Sequence, residues 1–427
     1  MTDQLYTDNF PHMSPVWGRI FNFVADRAEG SYIYTTDGRK LLDFTCGIGV
    51  TNTGHCHPKV VEAIREQAGN FLHAQANIVI HKPMLQLIEE LRRIAPPSID
   101  GFFFSNSGAE ALEGAIKLAR VATGKQNVIV FNGSFHGRTA GTMALTTSKT
   151  IYRAGFGPLP SGVFVSPFPY AFRLGMTDEQ ASQYALEQLE YLLASQTAPK
   201  ETAAILVESI LGEGGYVVPP TSFMKGLREI CDKHGIMLIF DEVQSGFGRA
   251  GKWFALEHFD VVPDIITAAK GIASGLPLSG VFSRLDLMKK WDVGSHGGTY
   301  GGNAVACAAG VATIRAMRDE KMLENANERG IQLMTGLRKL QEEYPQIGDV
   351  RGKGLMIGTE FIVDKKPEKA KPMVKEIIHA AEENNLLLLS CGTYDNTIRW
   401  IPPLNVTSHQ INDGLKIFGE ALKENIK

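Results

Sequence analysis

Residues 222–241 read SFMKGLREICDKHGIMLIFD. Apolar side chains recur at helical spacing over residues 222–234, and Gly235 can end that helix. Residues 236–240 then form an uninterrupted apolar run, which predicts a strand buried on both faces. Asp241 follows directly, so we expect a carboxylate at the carboxyl end of this strand, where open α/β sheets bind their ligands.

The same alternation of helical and strand patterns extends outward from this stretch in both directions. Residues 109–121 predict a helix, and apolar runs predict six further strands at residues 102–104, 128–131, 163–165, 203–207, 265–268 and 278–283. Seven buried strands alternating with helices predict an α/β fold with a mostly parallel seven-stranded sheet.

A glycine-rich stretch at residues 294–302 separates this region from a second α/β part. We therefore predict three parts. Residues 1–50 form an N-terminal segment that packs with the small domain, residues 51–310 form the large domain, and residues 311–427 form the C-terminal small domain.

Composition limits the class of protein. Lysine and arginine total 43 and aspartate and glutamate 46, which gives a net charge of −3 and no basic footprint for nucleic acid. The chain has no apolar run of about 18 residues that could span a bilayer. Its first residues lack a basic region followed by an apolar stretch, so we expect no secretory signal. Its five cysteines are scattered and odd in number, which suits a reducing compartment. We expect a cytoplasmic protein that binds neither nucleic acid nor membrane.

Two charged residues follow predicted strands. Lys270 closes the apolar run at residues 265–269, and burial there would lower its pKa and free the amine for Schiff-base chemistry. Asp241 could pair with a pyridinium nitrogen and keep it protonated. Taken singly, each has an ordinary alternative: a lysine that reaches solvent from a strand end and an aspartate that caps a turn.

Ser107, Gly108 and Ala109 lie between a predicted strand and a predicted helix. Exposed backbone N–H groups and the positive end of the helix dipole form a seat for a phosphate at such a position. The ordinary alternative is a serine N-cap followed by a tight glycine turn.

Other motifs in the sequence resemble known sites but lack a required feature. Residues 246–251 match G-x-G-x-x-G, but five residues separate this motif from the strand, whereas a dinucleotide site needs the first glycine to follow at once. Trp253 stands where a P-loop needs serine or threonine. His55 and His57 flank a cysteine, yet adjacent residues point apart and no second cluster has ligand spacing, so we predict no metal site.

Taken together, the motifs resemble those of the class III (subgroup II) aminotransferases, in particular 4-aminobutyrate and acetylornithine aminotransferases. The resemblance runs from about Trp17 to Leu422, and the order and spacing of the pieces make it specific. The matching pieces are residues 43–58, 106–111 (NSGAEA), 135–139 (FHGRT), 212–215 (GEGG), 240–251 (FDEVQSGFGRAG), 269–271 (AKG) and 298–300 (GTY).

The resemblance implies pyridoxal 5′-phosphate as the cofactor, bound by the large domain of a fold type I enzyme. Lys270 looks like the Schiff-base lysine, and Asp241 looks like the partner of the pyridine nitrogen. The other implied cofactor-binding residues are Ser107, Gly108 and Ala109 at the phosphate, Phe135 and His136 at the ring, Gln244 at the 3′-oxygen and Thr299. Because Thr299 matches a threonine that reaches the neighbouring subunit's cofactor, the resemblance implies a homodimer or a dimer of dimers with shared active sites.

The substrates implied are small amino acids and keto acids. By position, Ile48, Arg138, Glu213 and Arg399 match substrate-binding residues, with Glu213 pairing with Arg399 when an ω-amino substrate is bound. The implied reaction moves an amino group from an ω-amino or α-amino acid to a keto acid such as 2-oxoglutarate. Ser209 departs from the family's proline, and with Cys46 and Cys56 in the substrate-side loop it leaves the donor open.

Three alternatives to this function stay open at the level of sequence. The same scaffold hosts amino-acid racemases and a dialkylglycine decarboxylase, which share the lysine and the aspartate. A protein that binds the cofactor only to regulate is the third alternative, and the intact set of Lys270, Asp241, Gln244 and Thr299 argues against it.

Overall fold

A computed structural model describes residues 4–426 of the chain. Its strands are β1 Ala25–Glu29, β2 Tyr32–Thr35, β3 Lys40–Asp43, β4 Gly101–Ser105, β5 Asn127–Phe131, β6 Val163–Ser166, β7 Thr202–Glu208, β8 Met237–Asp241, β9 Ile265–Ala268, β10 Ser279–Ser283, β11 Ile347–Lys353, β12 Met356–Phe361, β13 Leu386–Leu387, β14 Leu389–Cys391 and β15 Thr397–Trp400. Its helices are α1 Gln4–Asn9, α2 Cys46–Gly49, α3 Pro58–Asn70, α4 Lys82–Ile94, α5 Gly108–Thr123, α6 Ala140–Leu145, α7 Ala171–Leu174, α8 Asp178–Ser195, α9 Thr221–His234, α10 Leu285–Met288, α11 Ala304–Asp319, α12 Met322–Glu343, α13 Lys371–Glu383 and α14 Ser408–Asn425.

The central layer is a seven-stranded sheet in the order β4-β10-β9-β8-β7-β5-β6. It contains all seven predicted strands, and the prediction of a mostly parallel α/β sheet is confirmed. Only β10 runs against its neighbours β4 and β9, so the other six strands point the same way and their carboxyl ends share one edge. Helices cover both faces of the sheet, and the inner strand β7 has no exposed residue along its whole length, whereas the edge strand β6 exposes Val165.

Helix α5 shows how the local sequence positions this edge. Ser107 and Glu110 form a capping box that starts the helix directly after β4, and Gly124 ends it in the left-handed conformation. Its buried face packs beneath the sheet through Leu112, Ile116 and other apolar residues. The first turn of α5 therefore lies at the carboxyl edge of the sheet.

Two smaller sheets flank the central one. The first has the order β1-β2-β3-β13, in which β13 from the C-terminal part pairs in parallel with β3. The second is antiparallel, with the order β11-β12-β15-β14.

The division at residues 50 and 310 stays a prediction. Residue 310 lies inside α11, which packs against α3 and α4. Within residues 4–426, no helix combines the length and the apolar character needed to cross a bilayer.

Candidate active site

Three charged side chains meet at the carboxyl ends of three adjacent parallel strands. Glu208 ends β7, Asp241 ends β8, and Lys270 follows β9 after a single residue. All three line one cavity of about 390 Å³, together with residues of the α5 N-terminus and of the loop at 275–278. A cavity of this size falls in the range of small-molecule sites, roughly 300–1,000 Å³.

Asp241 is held by two hydrogen bonds that fix its orientation. Its Oδ2 lies 2.8 Å from Nδ1 of the buried His136 ring, and its Oδ1 accepts a 2.9 Å bond from the backbone N–H of Val243. The Asp241 side chain is 4% exposed. The carboxylate is therefore oriented in a shielded position, where its charge acts strongly on any group placed opposite.

Lys270 begins a short 3₁₀ turn, Lys270–Ile272, with a left-handed backbone at a φ of +47°. A lysine holds this conformation only where its surroundings impose it. Burial and, after it, the charge of Arg399 lower the pKa of Lys270 to about 8, although Asp241, Glu208 and Glu213 oppose the change. The amine is thus deprotonated far more readily than an ordinary lysine.

Glu208 is a site residue that our sequence prediction missed. Its two carboxylate oxygens accept hydrogen bonds from the backbone N–H groups of Phe135, at 2.8 Å, and Gly212, at 2.7 Å. Burial raises the pKa of Glu208 to about 7, and among its charged neighbours His136 opposes this rise while Asp241 adds to it. The signal was present, because Glu208 ends a fully apolar run as Asp241 does.

The first turn of α5 forms the opposite wall of the cavity. Ser107, Gly108 and Ala109 all line it, and the side chain of Ser107 accepts a bond from the N–H of Glu110. The N–H groups of Gly108 and Ala109 come too early in the helix to find an intrahelical partner. A Cβ on Gly108 would lie 2.9 Å from Cγ1 of Val243, so only glycine lets the helix approach this closely.

Gln244 and Phe135 complete the cavity wall. The amide oxygen of Gln244 accepts a hydrogen bond from the Tyr216 hydroxyl. A Cβ on Gly212 would lie 2.6 Å from Nε2 of Gln244, so this glycine keeps the space that the amide occupies. The Phe135 ring meets the Tyr152 ring edge to face at 5.2 Å.

A second charged cluster adjoins the cavity. Arg399 on β15 contributes Nη1, which donates to Oε2 of Glu213 at 2.9 Å. The other oxygen of that carboxylate, Oε1, accepts from Lys149 Nζ at 3.0 Å and from the Tyr152 hydroxyl at 2.8 Å. Burial alone would raise the pKa of Glu213, but Arg399 and then Lys149 outweigh it and lower the pKa to about 2. Glu213 is therefore a fully charged carboxylate, and Lys149 and Tyr152 are members of the cluster that the sequence did not predict.

Five predicted residues lie outside the lining that the described residues give this cavity: Glu213 and Arg399, which belong to the adjoining cluster, and Arg138, Ile48 and Thr299. Arg138 is exposed, with its guanidinium 4.7 Å from the centre of the Tyr152 ring and 5.9 Å from that of Phe135. Ile48 is 43% exposed in a left-handed segment two residues before Val50, which does line the cavity. Thr299 is exposed in the loop after α10.

The cavity fits the predicted cofactor on its own chemistry. The first turn of a 16-residue helix presents N–H groups suited to a phosphate. An oriented carboxylate, Asp241, suits a protonated ring nitrogen, and Lys270 supplies an amine of lowered pKa. Nε2 of His136 is buried without a partner among the described residues. The donor set thus matches an aromatic phosphate with a reactive carbonyl.

Comparison with known proteins gives the same family. The profile described as aminotransferase class-III matches residues 13–422. The chain is 40% identical to the 5-aminovalerate aminotransferase of Pseudomonas aeruginosa, over 95% of each chain. It is also 40% identical to the 4-aminobutyrate aminotransferase of Escherichia coli, again over 95% of each chain.

Solved structures agree with this assignment. The chain superposes with a TM-score of 0.92 on an (S)-enantioselective omega-transaminase from Thermomicrobium roseum, at 30% identity over 99% of both chains. An amine transaminase from an uncultivated Pseudomonas species, solved in its PLP-bound form, gives a TM-score of 0.90 at 30% identity over 97% of both chains. The predictions of fold type I, of the cofactor and of aminotransferase activity are confirmed. The chain belongs to the class III aminotransferases and is a pyridoxal-phosphate-dependent transaminase.

Proposed function

We propose that the enzyme transfers the terminal amino group of an ω-amino acid of the 4-aminobutyrate or 5-aminovalerate type to 2-oxoglutarate. The observation that carries the proposal is the 2.9 Å ion pair between Arg399 and Glu213 beside the cavity that contains Lys270 and Asp241. The relatives named above, at 40% identity, act on substrates of this type by name.

We assign the cofactor to the cavity wall. The N–H groups of the α5 first turn, at Gly108 and Ala109 after Ser107, hold the phosphate, and Phe135 and His136 flank the ring. Asp241 faces the ring nitrogen and Gln244 the ring's phenolic oxygen. When bound, pyridoxal phosphate supplies a carbonyl that combines with amines and a ring that accepts electrons.

The chain's own residues supply the binding and the proton transfers. Asp241 is fixed in orientation, because His136 and Val243 N–H hold its two oxygens, and its carboxylate can therefore stabilise positive charge opposite it. Lys270 Nζ takes the proton from the substrate carbon that bears the amino group, since its lowered pKa makes it a base near neutral pH.

Two arginines distinguish the two substrates. Arg138, exposed beside Phe135 and Tyr152, binds the carboxylate distal to the reacting carbon. Arg399 stays paired with Glu213 while an ω-amino acid is bound, because that substrate has no carboxylate on the reacting carbon. Glutamate has one, and its α-carboxylate takes the place of Glu213 on Arg399. Ile48, at the cavity entrance, contacts the aliphatic part of either substrate.

The proposal includes the oligomeric state of the enzyme. We place Thr299 at the phosphate of the neighbouring subunit, which makes the active unit a homodimer, alone or within a dimer of dimers. Two observations support this: Thr299 is exposed, and the nearby segment before α4 exposes Leu72, Ile78 and Ile80 at 63%, 79% and 74%. Such apolar exposure is typical of a surface that another chain covers. We also place the enzyme in the cytoplasm.

The test is a pair of half-reactions on the holoenzyme. The cofactor absorbance band should convert with 4-aminobutyrate or 5-aminovalerate and release the semialdehyde, then revert with 2-oxoglutarate and release glutamate. An α-amino-acid racemase would change optical rotation without stoichiometric keto acid, and a decarboxylase would release carbon dioxide. Failure of both ω-amino acids to convert the band would refute the proposed donor.

A further inference from the structure

We propose that Lys149 is a positioning residue for the carboxylate exchange at Arg399: it retains Glu213 when a substrate α-carboxylate takes over Arg399. The inference rests on the proposed function, in which Glu213 and the α-carboxylate alternate on Arg399. It adds a residue from a different segment of the chain, the loop between α6 and the 3₁₀ turn Thr150–Tyr152.

The geometry divides the Glu213 carboxylate between two sets of partners. Among the described residues, Oε2 is bound by Arg399 alone, whereas Oε1 is bound by Lys149 Nζ at 3.0 Å and by the Tyr152 hydroxyl at 2.8 Å. When Arg399 is withdrawn, one of three contacts is lost, and the remaining two include a full positive charge. Glu213 can therefore give up Arg399 without becoming an unpaired buried charge, which is the costly outcome of breaking an ion pair.

Arg399 has no second partner of this kind, because Glu213 is its one hydrogen-bonded carboxylate among the described residues. The Nε atom of Arg399 is also buried without a partner there. Once Glu213 is held by Lys149 and Tyr152 only, the planar guanidinium of Arg399 is free to receive a carboxylate bidentately. After the exchange, each carboxylate is thus paired with a cation: Glu213 with Lys149, and the substrate α-carboxylate with Arg399.

Lys149 is itself held in place. Its side chain is 12% exposed, and it also contacts Asp395, whose other carboxylate oxygen accepts from Lys371 Nζ at 2.9 Å. The backbone N–H of Gly392 donates to the Glu213 carbonyl at 2.8 Å, which ties the Asp395 loop to the Glu213 loop. The lysine ammonium is therefore held between two carboxylates and is more restricted in position than a lysine on the surface.

The experiment compares Lys149→Met with the wild type as holoenzymes. Without Lys149, Glu213 depends more on Arg399, so an incoming α-carboxylate meets a tighter ion pair. We expect glutarate, a dicarboxylate that cannot react, to bind about tenfold more weakly by calorimetry, on the scale of a partly buried charge pair. The KM for glutamate should rise by a similar factor with little change in kcat, and the KM for 4-aminobutyrate should stay within about twofold.

Two further variants separate positioning from structure. Lys149→Arg keeps the positive charge and should restore glutarate binding to near the wild-type value. Lys371 is the other lysine that contacts Asp395; its side chain is 63% exposed, and it does not contact Glu213. Lys371→Met should therefore leave the KM for both substrates unchanged.

The outcomes are decisive for Lys149 independently of the donor. If Lys149→Met binds glutarate as the wild type does, or if neither protein binds it, the proposal is overturned. Equal loss for glutamate and 4-aminobutyrate overturns it too, because Lys149 would then support the structure or bind any carboxylate. If the wild type converts no ω-amino acid, the proposed function fails, yet the glutarate comparison still decides the role of Lys149.

Discussion

Replacing Glu213 by glutamine should reverse the substrate preference of the enzyme. The change removes the charge that Arg399 must leave when an α-carboxylate binds. The pKa of Glu213 falls from an ordinary 4.5 to about 2, and at about 1.4 kcal/mol per pH unit this favours the charged form by about 3 kcal/mol. Arg399 is the largest attractive contribution and Lys149 the next. A hydrogen bond contributes about 0.5–1.5 kcal/mol net, and more where a group is charged, so we take about 1–2 kcal/mol for the Arg399–Glu213 contact. That range corresponds to about five- to thirtyfold in affinity.

We therefore expect Glu213→Gln to lower the KM for glutamate about five- to thirtyfold. With 4-aminobutyrate the opposite holds, because Arg399 is then left without a partner in the bound state, and kcat/KM should fall. Single-turnover rates of the two half-reactions, followed by the cofactor band at several substrate concentrations, give both numbers. Weaker glutamate binding, or equal losses in both half-reactions, would refute the reasoning and leave the ion pair with a purely structural role.

Three other predictions concern the cofactor cavity. Asp241→Asn should keep the fold and lose at least about tenfold in kcat with the cofactor site filled, because an amide no longer favours a protonated ring nitrogen; a smaller loss would mean that another group manages the ring charge. In the apoenzyme, acetic anhydride labelling of Lys270 should rise with pH and be half-maximal near pH 8, whereas exposed lysines titrate near about 10.4, and an ordinary profile would contradict the burial argument. Mixing Lys270→Ala with Thr299→Ala chains should restore activity in hybrid dimers that contain one intact composite site, and a fully active monomer on sedimentation would exclude shared sites.

The central sheet could be predicted from the sequence because its strands are buried on both faces. Continuous apolar runs report that burial directly, and all seven were identified. The residual errors are at the ends: we predicted a strand at residues 236–240, and β8 is Met237–Asp241. The apolar run marks burial, whereas strand length is set by pairing, and Asp241 pairs with Glu208 and Thr267 on the adjacent strands.

The flanking sheets could not be predicted in the same way. β1 is mostly exposed, and its residues show no alternation of polar and apolar side chains. β13 has two residues and exists because it pairs with β3, more than 340 positions earlier in the chain. A pairing of such long range leaves no local signal in the sequence.

The cofactor cavity and the charged cluster around Glu213 differ in the same way: local sequence marks the first, and long-range packing forms the second. Lys270, Asp241 and Glu208 each follow an apolar run, so a strand-end rule finds all three, and our omission of Glu208 was a failure to apply it. No such rule identifies the charged cluster around Glu213. Lys149, Glu213 and Arg399 come from three segments spread over 250 positions, and they meet where β15, the loop after β7 and the loop after α6 pack together.

This separation has a consequence for how the enzyme can change its substrate. Asp241 and Lys270, which we assign to the cofactor, lie at or directly after the ends of strands in the central sheet, and moving them would disturb buried pairing across that sheet. The residues to which we assign carboxylate selection lie on loops and on a different sheet, and they are linked to the cavity through side chains such as Glu213, Tyr152 and Tyr216. Loop substitutions generally cost less stability than changes inside a buried sheet. We therefore expect that donor choice can be altered through the cluster around Glu213 while Lys270 and Asp241 keep their positions. The Glu213 and Lys149 variants have opposite expected effects on glutamate affinity, and together they test this independence.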